Sequence, residues 1–200
     1  MNTVYIRKLE RMFIMVKMTC IVCGMEINEK NYNFNKEAFI NSNSKEKIMY
    51  CPFCGAPIEY LIENGQKIKY DRNKLNQNSL KIIDHAVKLE VFNGDFYKKA
   101  SYMAKDKNVK SMFKSLSSIE YMHARIHKKI AGIKEMPVLK DMDYSKYNTD
   151  ENLLAAACQR EKHAVAYYKK YEKEIHEENI AKIFNALSKV EEEHVKLTGE

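Results

Sequence analysis

The chain has 200 residues, 30% charged and 10% aromatic, with no Trp, which suits one or two soluble domains with a sizeable core. Its formal charge of +7 is dispersed: residues 1–78 hold 12 Lys/Arg and 8 Asp/Glu, a net +4, and the remainder carries +3. No dense Lys/Arg run marks a nucleic-acid surface, and no apolar stretch approaches the ~18 residues of a membrane span.

The chain opens with residues 1–17, an N-terminal extension carrying the apolar patch Met12-Phe13-Ile14-Met15-Val16. Lys17 interrupts that patch and no small-residue cleavage site comes after it, so a signal peptide is not expected and a cytoplasmic location is. Met15 and Met18 are alternative initiators to Met1.

Residues 18–61 form the first module, turn-rich and strand-like. Cys20-x-x-Cys23 and Cys51-x-x-Cys54 stand 27 residues apart, each pair followed by glycine, Gly24 and Gly55. Two such knuckles are a four-thiolate tetrahedral metal signal rather than a disulfide framework. The glycines are expected to bring backbone N–H groups close to the sulfurs. Iron and zinc both suit the ligands, and ligand type does not separate them. Cys158, the fifth cysteine, reads as core packing.

Residues 62–79 are polar and read as a linker, with Ser79 a candidate N-cap for the first helix. Four apolar stripes at helical spacing occupy residues 80–200. The first runs Ile83, Ala86, Val87, Glu90, Gly94, Tyr97, Ala104. The second runs Val109, Met112, Phe113, Leu116, Glu120, His123, Ile126, Ile130 and ends at Gly132. The third starts at an N-cap Thr149 and runs Leu154, Ala157, Cys158, Glu161, Val165, Tyr168, Ile175. The fourth runs Ile180, Ile183, Phe184, Leu187, Glu191, His194, Leu197. Short connections make the first pair and the last pair antiparallel, and residues 133–148, with Pro137, give a longer crossing between them.

An acidic residue interrupts every stripe at mid-depth. A charge on an apolar face costs several kcal/mol unless paired or metal-bound, so four such interruptions indicate a shared buried cation. Glu120/His123 and Glu191/His194 are Glu-x-x-His pairs, whose members share one helix face. With Glu90 and Glu161 they make the ligand set of a two-metal carboxylate bundle, suited to iron or manganese. Glu120 and Glu191 are placed to bridge, His123 and His194 to cap one metal each, and Glu90 and Glu161 to close the ends. His127 lies on nearly the same face and reads as a supporting or packing residue.

The segments Glu90-Val-Phe-Asn-Gly-Asp-Phe-Tyr97, Glu120-Tyr-Met-His123 and Glu191-Glu-Glu-His194 resemble those of rubrerythrin. Cys51-Pro52-Phe53-Cys54-Gly55-Ala56-Pro57 is similar to the second knuckle of that family's rubredoxin-like module. The resemblance implies a ferritin-like antiparallel four-helix bundle preceded by a small rubredoxin-like or zinc-ribbon β module, the reverse of the common domain order. It implies that Tyr97 lies beside the metals as a hydrogen-bonding group. The third helix departs from the family: Ala164 stands where rubrerythrins carry a second glutamate, and Tyr168 follows Glu161 by seven residues rather than eight. Aligning on Tyr168 would instead put Arg160 and His163 at the glutamate positions, but Glu161 falls in the apolar stripe and is retained.

The activity implied is reduction of hydrogen peroxide, or dioxygen, at a di-iron site, with Glu90, Glu120, Glu161, Glu191 and Tyr97 as the catalytic set and electrons relayed through an iron held by the four paired cysteines. A rubredoxin or a reduced-nicotinamide-dependent reductase would supply those electrons, and a homodimer or larger homo-oligomer is expected, with neither nucleic acid nor membrane as partner. Two alternatives stay open: a ferritin-like iron-binding ferroxidase, and a zinc-ribbon binding module on a non-catalytic bundle.

Overall fold

The computed structural model describes residues 17–63 and 65–199. The patch Met12–Val16 and the start positions Met1 and Met15 lie outside the described residues. Met18 opens the first strand.

A three-stranded antiparallel sheet, β1 (Met18–Cys20), β2 (Glu26–Ile27) and β3 (Leu61–Glu63), has the order β2-β1-β3. Met18 pairs with Ile27 on one side and Glu63 on the other. Each cysteine pair turns the chain by the same device. Cys20 N–H donates to Met25 O at 2.9 Å and Gly24 N–H to Cys20 O at 2.8 Å, while Cys51 N–H donates to Ala56 O and Gly55 N–H to Cys51 O, both at 2.8 Å. Gly24 and Gly55 have φ of 79° and 75°, the left-handed region that side chains disfavour. Their N–H groups therefore bond carbonyls, not sulfurs as expected from the sequence. Met25 N–H does approach a sulfur, 3.5 Å from Cys23 Sγ.

The helices are α1 (Gln77–Met103), α2 (Lys107–Ala131), α3 (Asp150–Glu172) and α4 (Glu178–Gly199). Asn76, not Ser79, caps α1: its side chain accepts from Ser79 N–H at 2.8 Å. Both are good capping types, but Asn76 meets the backbone from outside the first turn, while Ser79 sits buried within it. The polar stretch before α1 is also shorter than residues 62–79, because Ile62 and Glu63 continue β3 and Arg72–Lys74 form a 3-10 turn. Asp106 caps α2, Thr149 caps α3, and Gly132, at φ 66°, closes α2 as its position suggested. Asp150 accepts from Lys105 and Asp106 N–H, both at 2.8 Å, tying the α1–α2 turn to the start of α3.

Helix α1 packs mainly on α2, and α3 on α4. The inward face of α3 is shifted from the expected stripe. Leu153, Ala164 and Tyr167 are buried, Leu154 and Val165 are half-buried, and Ile175 lies beyond the helix end. Alanines fill much of that face, so hydropathy marks it weakly. One apolar core passes without interruption from Cys20, Ile27 and Ala56 in the module to Ile83, Phe184 and Leu187 in the bundle. A second, aromatic core around Phe96, Phe113 and Tyr144 fills the other end.

The module meets the bundle so closely that a Cβ on Gly55 would stand 2.5 Å from Val190 Cγ1. One on Gly24 would meet only the flexible Lys67 side chain, at 3.2 Å. Gly55→Ala is therefore expected to cost about 2–4 kcal/mol, from left-handed strain plus overpacking, and Gly24→Ala about 1–2 kcal/mol from strain alone. Denaturant unfolding of the two variants at equal metal content measures the difference.

Candidate metal centres

Each helix of the bundle delivers its acidic interruption to the same buried point. Glu90 comes from α1, Glu120 and His123 from α2, Glu161 from α3, and Glu191 and His194 from α4, and all six are 0% exposed. His123 Nδ1 lies 3.1 Å from Glu191 Oε1 and 3.8 Å from both Glu90 Oε2 and Glu120 Oε2. His194 Nδ1 lies 3.0 Å from Glu191 Oε2, 3.5 Å from Glu120 Oε1 and 3.7 Å from Glu161 Oε1.

Two overlapping groups result, Glu90-Glu120-His123-Glu191 and Glu120-Glu161-Glu191-His194, with donor atoms within 4.8 Å of one another in each. Glu120 and Glu191 belong to both, so they are the residues placed to bridge two ions. The donors fit such ions. Glu90 Oε2, both Glu120 oxygens, Glu161 Oε2, Glu191 Oε1 and His123 Nδ1 are buried without a hydrogen-bond partner among the described residues. So many orphaned acceptors in one buried site are costly unless cations, protons or water satisfy them.

Two tyrosines brace the cluster crosswise. Tyr97 of α1 donates its hydroxyl proton to Glu161 of α3, and Tyr168 of α3 donates to Glu90 of α1. Having spent its proton on Glu90, the Tyr168 oxygen accepts from His127 Nε2, 2.8 Å away. His127 thus supports the site through Tyr168. The role of Tyr168 was missed in the sequence, although a signal exists: Glu90, Tyr97, Glu120 and His123 recur as Glu161, Tyr168, Glu191 and His194, each 71 positions on. That repeat also selects Glu161 over its neighbours. Arg160 instead lies over the rings of Phe92 and Phe96, 4.4 and 4.2 Å from their centroids.

The four paired cysteines form the second centre. Their thiols are free of disulfides, and the Sγ atoms of Cys20 and Cys54, and of Cys23 and Cys51, are 3.7 Å apart. Tetrahedral bonds of about 2.3 Å require sulfurs about 3.8 Å apart, so this cage fits one metal ion. Hydrogen bonds from Cys23, Cys51 and Cys54 hold the Cys20 thiol well below its ordinary value, whereas burial pushes Cys51 and Cys54 up. Cys158 is buried in the bundle, apart from the cage.

The two centres touch through one hydrogen bond. His123 Nε2–H donates to the carbonyl of Cys54 at 2.9 Å, leaving Nδ1 directed at the carboxylates. The equivalent Nε2 of His194 has no such acceptor among the described residues.

The electrostatics of the bundle site resolve into a balance. Burial, with Glu120 beside it, pushes Glu90 up to about 7. Burial, with Glu120 and Glu191, raises Glu161 well above the usual carboxylate range. Burial also opposes charge on the imidazoles, but the carboxylates outweigh it, raising His123 well above its ordinary value and His194 up to about 9. For Glu120 and Glu191, burial opposes ionisation, yet His123 and His194 bring both below the ordinary value. These directions make the metal-free cluster near pH 6 two carboxylates, two imidazoliums and two neutral acids, with no net charge. Two divalent cations among four carboxylates and two neutral imidazoles also sum to zero. Loading at about pH 6 is therefore expected to release about four protons per two cations, fewer at about pH 9, with apparent affinity rising between. With the thiolate cage already filled, a pH-stat titration with ferrous or manganous salt reads both, and binding at the bundle without proton release would contradict the balance.

The ferritin-like domain family model matches residues 78–197, from the start of α1 to the end of α4. No curated protein and no solved structure matches the chain. The match covers more than half of the sequence and contains all six carboxylate and imidazole donors, and the chain therefore belongs to the ferritin-like domain family.

Proposed function

We propose that this protein is a rubrerythrin-like oxidoreductase that reduces hydrogen peroxide at a di-iron site, with dioxygen as a second oxidant. The observation that carries this reading is the hydrogen bond between His123 and the Cys54 carbonyl. Cys54 belongs to the thiolate cage and His123 to the carboxylate cluster, so a path of one residue backbone, one hydrogen bond and one imidazole joins the centres within a single chain. A storage protein or a zinc-ribbon binding module has no need of that junction.

In this reading Cys20, Cys23, Cys51 and Cys54 would hold one iron, able to supply single electrons, and Glu90, Glu120, His123, Glu161, Glu191 and His194 would hold two more. When bound, that pair supplies the two electrons that cleave the O–O bond. Peroxide also takes two protons to become two waters, and this chain holds protons at the right depth. Tyr97 and Tyr168 present hydroxyl protons to Glu161 and Glu90, and burial with the neighbouring carboxylates keeps both phenols protonated. Glu90 and Glu161, each a member of one donor group only, are the carboxylates free to shift and admit oxidant. Aromatic packing of Tyr97 on Phe113 and of Tyr168 on Phe184 excludes bulk water. By the resemblance, a rubredoxin or a reduced-nicotinamide-dependent reductase replenishes the thiolate cage, and chains associate as a homodimer or larger homo-oligomer; thiols used as metal ligands rather than disulfides place the molecule in the cytoplasm in this reading.

The reduced, iron-loaded protein is expected to consume peroxide, with visible thiolate-iron absorption returning as the cage is oxidised. Glu120→Ala is expected to abolish loading of the bundle and turnover together while leaving the thiolate-iron spectrum intact. Inactivity with both sites filled by iron would remove this reading, as would zinc as the native metal of the cage.

A further inference from the structure

A groove of about 1140 Å³ lies between α1, α3 and the connection from Gly132 to Thr149. Leu89, Phe92, Leu139, Tyr147 and Ala156 give it apolar walls. Its charge is one-sided. Lys81, Lys88, Lys146 and Arg160 line it, and the single acid, Asp84, is already paired with Lys88 at 2.6 Å.

Two donors in its wall lack acceptors. Asn93 is 1% exposed, and its Nδ2 has no hydrogen-bond partner among the described residues. The Nε of Arg160 is likewise buried and unpartnered, and no carboxylate among the described residues lies within ion-pair distance of its guanidinium. The rings of Phe92, Phe96 and Tyr144 hold that guanidinium by their faces, at 4.4, 4.2 and 5.8 Å from their centroids. Ring faces stabilise the cation without using its N–H groups, so the donor edges stay available. A buried amide or guanidinium donor without an acceptor is costly, and a ligand oxygen is the economical remedy.

We propose that this groove binds an organic oxyanion, a carboxylate or phosphate ester carried on an apolar body of about ring size. The oxyanion accepts from Arg160 and Asn93, Lys81 and Lys146 supply further positive potential, and the body lies along Leu89, Phe92 and Tyr147. The site is separate from the metal donors, and it stands whether or not the peroxide reading holds.

The test is calorimetric titration of the full-length, metal-loaded protein with 2-naphthoate, 2-naphthyl phosphate and neutral 2-naphthylmethanol. Both anions, or one of them, are expected to bind about tenfold or more tightly than the alcohol. The tighter anion identifies the source as a carboxylic acid or a phosphate ester. Arg160→Met, which keeps the packed stem, is expected to bring the anions down to the affinity of the alcohol. Equal affinity for alcohol and anions in the wild-type protein overturns the proposal without relying on any variant. So does unchanged anion binding in a folded Arg160→Met. Failure of all three probes to bind, with a stable dimer in sedimentation, also overturns it and makes a second copy of this chain the occupant.

Discussion

Everything in the bundle depends on keeping four glutamates out of reach of bulk solvent. Isolated carboxylates there would be forced to take up protons or would disrupt the core. This chain meets the problem by proportion: two imidazoles, two phenols and four carboxylates are matched so that either protons or divalent cations satisfy them. The helices can then bury their acidic interruptions, and the apolar stripes around Glu90, Glu120, Glu161 and Glu191 can close into the bundle's cores. Tyr97 and Tyr168 extend the arrangement sideways, each fastening a carboxylate of the opposite helix pair. They supply specific links between α1 and α3, helices that otherwise touch little.

The cysteine module is part of the same construction. Its core is continuous with that of the bundle, and further polar contacts pin it down: Tyr60 donates to Asn185 at 2.8 Å, Lys189 bonds Glu59 at 2.9 Å, and Asn35 reaches both Pro52 O and Ser118. Gly55 is what lets the second knuckle settle against α4. The result is that a thiolate cage and a carboxylate cluster meet at one carbonyl.

Much of this could be read from the residues. The Cys-x-x-Cys pairs and the interrupted apolar stripes are local patterns with few alternative uses, and they located all ten metal-ligating candidates that the structure brings together. The bundle class followed from four stripes and three connection lengths, and Gly132 and Thr149 marked helix ends by their own chemistry. Other features depend on partners far along the chain. Asn76 and Ser79 are equally plausible caps until the chain's path is known. The inward face of α3 is hidden because its alanines carry little hydropathy. Tyr168 acts on Glu90, 78 positions away, and His127 acts through Tyr168 across 41. The link from the module to His123 rests on a backbone carbonyl, which no residue type can announce.

The 71-residue repeat makes the two halves of the metal site near copies, yet among the described residues only one of its two imidazoles hydrogen-bonds the cysteine module. His123 has its outer nitrogen anchored to a peptide oxygen, and its counterpart His194 does not. An anchored imidazole is held in one tautomer and is the stronger base. A bundle with internal twofold character has thus been given a front and a back. The two donor groups therefore present unequal imidazoles to whatever they hold, one fixed from outside and one not.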